Sequence, residues 1–414
     1  MSLASFWWRN LLFASPFLAF GMNVSAADVS HSLGSVPGMQ LNPRVAFGSS
    51  GGYFVWQDSL ADHRKFGISA RKLDDNFDPQ GDAFSVNVIT AENQMNPALG
   101  ILPDGNILFV WEGGKPGAAD IFGRVRSDSG KWITRDFFIN TFRRGAQIEP
   151  VVAVLKDGNA VVAWNSSGQD GSLFGVFGQR LAASGRRLGP EFRLNQYVDL
   201  NQRNVSLAAQ SDGSFVATWI SHGQRSKQPN AREQIVRVDQ QKFESVDVYA
   251  RRFGASGQPL GDEFLVNTGN SVCFSPSVAA SDSGFSVVWV ERNRAPATGM
   301  AVQKRSFDLT GNPATEAETV AAAETLAGVS ISGSGDRYLV SWTRPGRKNV
   351  IEGFFGKFLD QSGAVSGDEF SLAAQVIGKD LRASSSAKLH GDFFAVWPGY
   401  VPGSAFDLFG KSVR

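Results

Sequence analysis

Seven tryptophans end seven short apolar strands at near-constant spacing, and that period leaves the chain few architectures to fold into. The strands are Tyr53-Phe54-Val55-Trp56, Leu108-Phe109-Val110-Trp111, Val161-Val162-Ala163-Trp164, Val216-Ala217-Thr218-Trp219, Ser286-Val287-Val288-Trp289, Leu339-Val340-Ser341-Trp342 and Phe394-Ala395-Val396-Trp397. Successive tryptophans lie 55, 53, 55, 70, 53 and 55 residues apart. Only Trp7, Trp8 and Trp132 fall outside the series. One large residue type at one strand position, seven times, is what a stack of similar sheets needs if each must fill the space to its neighbour.

The surroundings of each tryptophan fill in the unit. A short strand precedes it, often opened by proline: Pro43-Arg44-Val45-Ala46, Pro97-Ala98-Leu99, Pro150-Val151-Val152-Ala153, Pro276-Ser277-Val278-Ala279. Between the two strands stands a turn signal such as Gly51-Gly52, Asp104-Gly105, Asp157-Gly158 or Asp212-Gly213, whose residues accept positive φ and so join antiparallel hairpins. A third strand follows, as in Phe122-Gly123-Arg124, Phe177-Gly178-Gln179, Tyr249-Ala250-Arg251, Phe355-Gly356-Lys357 and Phe409-Gly410-Lys411, with Ser69-Ala70-Arg71 and Val302-Gln303-Lys304 as degraded copies. The fourth reads Phe84-Ser85-Val86-Asn87, Phe137-Phe138-Ile139-Asn140, Phe192-Arg193-Leu194-Asn195 or Phe264-Leu265-Val266-Asn267. Four antiparallel strands per period is the size of a propeller blade. The sequence predicts an all-β, seven-bladed β-propeller of four-stranded antiparallel blades. The seventh unit stops after its third strand, and Met39-Gln40-Leu41-Asn42 is expected to supply the fourth and close the ring.

The units read Pro-x-Val-Ala, Asp-Gly, Val-Val-x-Trp, Phe-Gly-Gln-Arg and Glu-Phe-x-Leu-Asn in order, most clearly over Pro150 to Asn195. This resembles the repeats of secreted bacterial β-propeller proteins, a likeness that runs from Met39 to the C-terminus. It implies a scaffold and carries no catalytic motif. The closure by an outer strand is similar to that of WD-repeat propellers, although the Trp-Asp dipeptide is absent.

At the other end of the argument lies the N-terminus. Arg9 is the one charge in the first ten residues, Leu11 to Phe20 is mostly apolar, and Val24-Ser25-Ala26 precedes Ala27, an A-x-A-like cleavage site. Residues 1–26 are expected to be a signal peptide, 27–38 a flexible leader, and 39–414 one propeller domain. Export to the periplasm or the medium follows, with no membrane span in the mature chain. The single cysteine, Cys273, excludes an internal disulfide and reads as a buried thiol. A net charge of +1 over 414 residues gives no basic footprint for nucleic acid. A monomer is expected.

Chemistry is harder to find. The tryptophans read as inter-blade packing rather than a sugar-stacking series, and Trp132 reads as packing too. The third-strand cations Arg71, Arg124, Arg251, Lys357 and Lys411 read as solvated or locally paired. No zinc, nucleotide or nucleophile-elbow motif occurs, and no cofactor is expected. Asn165-Ser166-Ser167-Gly168-Gln169-Asp170-Gly171 has oxygen ligands at calcium-like spacing, but with one carboxylate it reads better as a turn. The 70-residue step places an insertion after Trp219, beginning at Ser221-His222-Gly223-Gln224-Arg225. The face it shares with the blade-to-blade loops gives the candidate binding residues Arg143, Arg144, Arg203, His222, Arg225, Glu291, Arg292 and Arg344. The sequence thus favours a binding protein presenting a loop-rich face to a polysaccharide or protein. The alternatives are a carbohydrate-active enzyme at the channel mouth and a structural component of an envelope assembly. A hydrolase would draw on two of Glu149, Asp199 and Glu291; a lyase, on His222 with Arg203 or Arg225.

Overall fold

The computed structural model describes residues 30–33, 38–49, 51–62, 65–225, 245–292, 299–334, 337–345, 350–377, 384–387, 391–401 and 405–414. The fold is all-β. The expected signal peptide and most of the insertion after Trp219 lie outside the described residues, as do His63, Arg294, Arg347, Lys348, Lys379, Arg382 and His390. Among the described residues no helix is long and apolar enough to cross a membrane.

Antiparallel pairing groups the strands into successive units covering 38–85, 93–138, 147–193, 202–265, 272–323, 327–377 and 384–413. In unit two, for instance, Asn93–Ile101 pairs with Ile107–Lys115, that strand with Ala118–Arg126, and that with Phe137–Phe138. Units four and five are joined into one sheet by a parallel contact of Val246 with Val272, and units seven and one by parallel contacts of Gly38 with Ala405 and Met39 with Phe406.

One expectation is corrected here. The place beside the third strand of unit seven is taken by Ser30–Ser32, which pairs antiparallel with Lys411, Gly410 and Phe409. Met39–Asn42 instead belongs to Gly38–Gly48, the first strand of unit one. Ser30–Ser32, expected to be flexible leader, is therefore strand, and Leu33 behind it is buried and donates its N–H to the Leu408 carbonyl.

Strand alternation explains the tryptophans. On each second strand the Trp and the residue two before it face the preceding unit, and the residues between face the next one. Phe109 and Trp111 pack with Val55 and Ile68 of unit one, while Leu108 and Val110 pack with Val162 and Trp164 of unit three. The same arrangement joins units three and four, four and five, five and six, and six and seven. A seventh cluster holds Phe394, Val396 and Leu408 of unit seven with Leu33, Val45, Phe54 and Trp56. All seven indoles are at most 6% exposed. Trp132 packs against Phe84 and Phe109 and lies 3.7 Å under the Arg124 guanidinium.

The recurring polar residues lock unit to unit. The third-strand cation reaches a backbone carbonyl at the outer strand of the preceding unit: Arg71 to Leu33, Arg124 to Val86, Arg251 to Leu194, Arg305 to Val266, Lys357 to Val320 and Lys411 to Ser371. In unit three, where Gln179 holds that strand position, Arg187 reaches the Ile139 carbonyl instead. The unit-five cation is Arg305, so the third-strand motif there is Gln303-Lys304-Arg305, one residue later than the sequence suggested. Acids opening the fourth strands return the contact. Asp136 accepts the Val88 and Ile89 N–H groups at 2.7 and 2.8 Å, and Glu263 accepts those of Gln196 and Tyr197 at 2.7 and 3.0 Å. The fourth-strand asparagines act within a unit: Asn87, Asn140, Asn195 and Asn267 accept the N–H of Ile68, Ile121, Val176 and Val248, and their amides donate to Asp62, Asp120, Asp170 and Asp247.

Candidate functional site

The first strand of each unit swells opposite the tryptophan. Its register shifts between Leu41 and Arg44, Met95 and Ala98, Ile148 and Val151, Arg203 and Ser206, Phe274 and Ser277, and Ala327 and Ser330. The first extra residue is left-handed each time: Asn42, Asn96, Glu149, Asn204, Ser275 and Gly328, with φ between 47° and 59°. The second is proline in four of the six, because a bulge frees that N–H from the ladder. Proline thus sits inside a longer strand rather than opening a short one. Asparagine and glycine accept the left-handed region readily; glutamate does not, so Glu149 is held there against its own preference.

The bulge residues meet the residue that follows each tryptophan, which faces the next unit. In units one to three that residue is Gln57, Glu112 or Asn165, all buried. Asn42 donates to Gln57 Oε1 at 3.3 Å and to Asn96 Oδ1 at 3.2 Å. Glu112 Oε2 accepts the backbone N–H of Glu149 at 2.7 Å, and Glu149 Oε2 accepts from the Asn165 amide at 2.9 Å. The result is an arc of amides and two carboxylates across three units. In units four and five the same position is Ile220 and Val290, both buried in inter-unit clusters.

The sequence marks Glu149 as an acid to consider and Asn165 only as the start of a calcium-like turn, and it does not mark Glu112, Gln57, Asn42 or Asn96 as site residues. The signal was there, since the residue after the tryptophan is Gln57, Glu112 or Asn165 in units one to three and Ile220 or Val290 in units four and five. Its meaning depends on the bulge opposite.

The sequence-derived binding residues lie in the loop between units two and three and in units four to six. Arg143 is paired with Asp120 at 2.9 Å and lies over the Phe138 ring. Arg225 bonds to Asp247 at 2.6 Å and to the Gly269 carbonyl at 2.6 Å, closing the Asn267 latch. Arg344 makes two bonds to Glu369 at 2.9 and 3.0 Å. Glu291 accepts the Trp289 indole N–H at 3.3 Å. Arg292 is exposed with its guanidinium 5.6 Å from the Phe274 ring, and Arg144 is exposed in the loop before unit three. Arg203 and His222 do come together. Burial, and then the Arg203 charge, push His222 down to about 4, so its imidazole stays neutral through mildly acidic pH. Asp199 belongs to the loop before unit four, where its carbonyl accepts from the Gln202 amide. In the Asn165–Gly171 turn, Ser166 bonds Gln169 and Asp170 accepts the Ser172 N–H. Among the described residues, no three of the His, Cys, Asp and Glu side chains are grouped to hold a metal ion. Cys273 is buried and unbridged.

No family model matches this sequence, and no curated protein matches it. Solved structures do. The polysaccharide lyase Uly1 aligns at 8% identity over 95% of this chain and 93% of its own, with a TM-score of 0.54. The α-L-arabinofuranosidase Arb93A of Fusarium graminearum aligns at 10% identity over 91% and 93%, with a TM-score of 0.52. A Dyadobacter fermentans protein of unknown function aligns at 13% identity over 78% and 95%, also at 0.52. At such identities the likeness is one of fold, an all-β propeller shared with carbohydrate-active enzymes.

Proposed function

We propose that the chain is an exported, closed seven-bladed β-propeller that acts on a polysaccharide through the polar arc of units one to three, with Glu112 and Glu149 as a hydrolase pair. Closure is supported by the seventh inter-unit cluster and by the Arg71 contact to Leu33, which repeat between the chain's two ends what joins every other pair of units. Export is supported by the signal-like N-terminus. Deleting residues 27–33 should unfold or multimerise the protein if that strand completes the last blade.

The observation that carries the reading is the seating of Glu149. A strained backbone presents it at the bulge, the neighbouring unit's carboxylate grips its N–H, and Asn165 holds its carboxylate. Units four and five fill the same position with Ile220 and Val290, so packing alone does not call for the polar groups, and a ligand is their rationale. Glycoside hydrolysis uses two carboxyl groups, one as acid and one as base or nucleophile. On a polysaccharide that yields new reducing ends, Glu112→Gln and Glu149→Gln should each lower kcat/KM by about 10²–10⁴-fold. Both carboxylates are also held within the protein, as in a rigid binding site. A protein that binds glycan but releases no reducing ends would favour that second reading, a polysaccharide-binding propeller.

A further inference from the structure

We infer that Arg203 is a specificity-determining residue of this site, a cation placed to bind an anionic group, carboxylate or sulfate, on the sugar next to the one held by the arc. The inference rests on the polysaccharide reading above and narrows the ligand to acidic polymers. Its basis is a break in the repeat. The residue just before the bulge is half-buried and apolar in five units: Leu41, Met95, Ile148, Phe274 and Ala327. In unit four it is Arg203, which is exposed and makes no ion pair with a described residue.

The bulges of neighbouring units line up, and that puts Arg203 in one row with the arc. Asn42 donates to Asn96 from one bulge to the next, and Glu149 reaches back to Glu112 through its N–H. Val151 and Val205, just past the left-handed residues of units three and four, share one apolar cluster, so Asn204 and Arg203 follow Glu149 in that row. His222 is close by. Burial, and then the Arg203 charge, hold its imidazole neutral above about pH 4, so the guanidinium is the standing charge of this corner. A solvated cation adds nothing to packing at a position that is otherwise apolar. Its planar fork, however, matches a pair of anionic oxygens. It also offsets the repulsion that an anionic sugar would meet from Glu112 and Glu149. Other cations of this end stand off the row. Arg44 lies past the unit-one bulge, opposite Val55, and donates to the Pro43 carbonyl. Lys115 stands at a hairpin tip of unit two, and Arg143 and Arg225 are held by Asp120 and Asp247.

The test is affinity electrophoresis of the full chain in gels containing polygalacturonate, dextran sulfate or neutral linear arabinan. One of the anionic polymers should bind more tightly than arabinan, and which of the two does so tells carboxylate from sulfate. Arg203→Gln should weaken that binding roughly 10–100-fold, the span of a lost hydrogen bond between charged groups, and change arabinan binding less than about threefold. Arg203→Lys, which keeps the charge and loses the fork, should recover part of the affinity. Arg186→Gln removes one charge from an exposed turn at the opposite end of unit three and should leave the affinity unchanged. Equal losses in Arg203→Gln and Arg186→Gln overturn the inference, because the attraction would then be that of net charge. Arabinan bound as tightly as both anionic polymers overturns it too and leaves the polysaccharide reading standing. No retardation by any of the three overturns both.

Discussion

Units one to three and units four to five solve one packing problem in opposite ways. Where strand two leaves its tryptophan and faces the next unit, the first three bury an amide or a carboxylate and bond it to a bulge residue. The next two bury Ile220 and Val290 against apolar neighbours. Strand, bulge and tryptophan are alike on both sides, so the scaffold does not require the polar version. A polar cluster retained where a neighbouring unit manages with aliphatic side chains is best explained by something outside the fold.

Several substitutions can break or sharpen that contrast. The largest effect is expected from Val290→Glu, which moves the unit-two solution into unit five without its partners. Burying an unpaired carboxylate there should cost about 3–5 kcal/mol in denaturant unfolding. An unaffected protein would show that the two halves are interchangeable. Next comes pH. The native His222 pKa is pushed down to about 4 from a usual 6.5, so between those values the unfolded chain binds more protons than the native one. Stability should therefore fall as pH drops from about 6.5 to about 4, by up to about 3 kcal/mol. His222→Gln should flatten that slope; an equally steep slope in the variant would place the titration elsewhere.

A smaller effect is expected within unit five itself. Small third-strand residues face a fourth-strand phenylalanine in Ala70–Phe84, Gly123–Phe137, Gly178–Phe192, Ala250–Phe264 and Gly356–Phe370. Unit five carries Lys304 and Glu318 there, an ion pair at 3.0 Å with the lysine fully buried. Replacing both, Lys304→Gly with Glu318→Phe, should be neutral or stabilising by about 1–3 kcal/mol. A clear loss would mean that the pair is integral to this unit. The smallest effect concerns the bulge. Asn204→Val should cost about 1–2 kcal/mol more than Asn204→Gly, because φ is 59° there. Equal stabilities would argue against the left-handed bulge in unit four.

The tryptophan period was legible because every inter-unit space asks for the same large side chain. The fourth-strand asparagine was legible as a motif, though its role as a clamp between an N–H and an acid was not, since both partners lie about 20 residues away. The strand paired with Phe409–Lys411 was misplaced for a physical reason. Met39-Gln40-Leu41-Asn42 ends in the apolar-x-x-Asn-like pattern of an outer strand, while Ser30-His31-Ser32 needs only three backbone pairings and the burial of Leu33, and so has almost no sequence signature. The unit-five slip had a similar origin, because Lys304 was read as the cation that Arg305 supplies. The arc stayed hidden because it is made by register. Only when two residues bulge opposite the tryptophan does Glu149 reach both Glu112 and Asn165.

The pairing of Ser30 with Lys411 also orders events in time. During synthesis the first of these residues leaves the ribosome about 380 residues ahead of its partner. Six units can assemble while that early segment waits without a place to dock. The terminal sheet meanwhile stands with a bare edge, open to any other extended peptide. Bringing the two ends together carries the largest chain-entropy penalty of any pairing in the molecule, so it is the step at which haste, crowding or a neighbouring copy would do most harm.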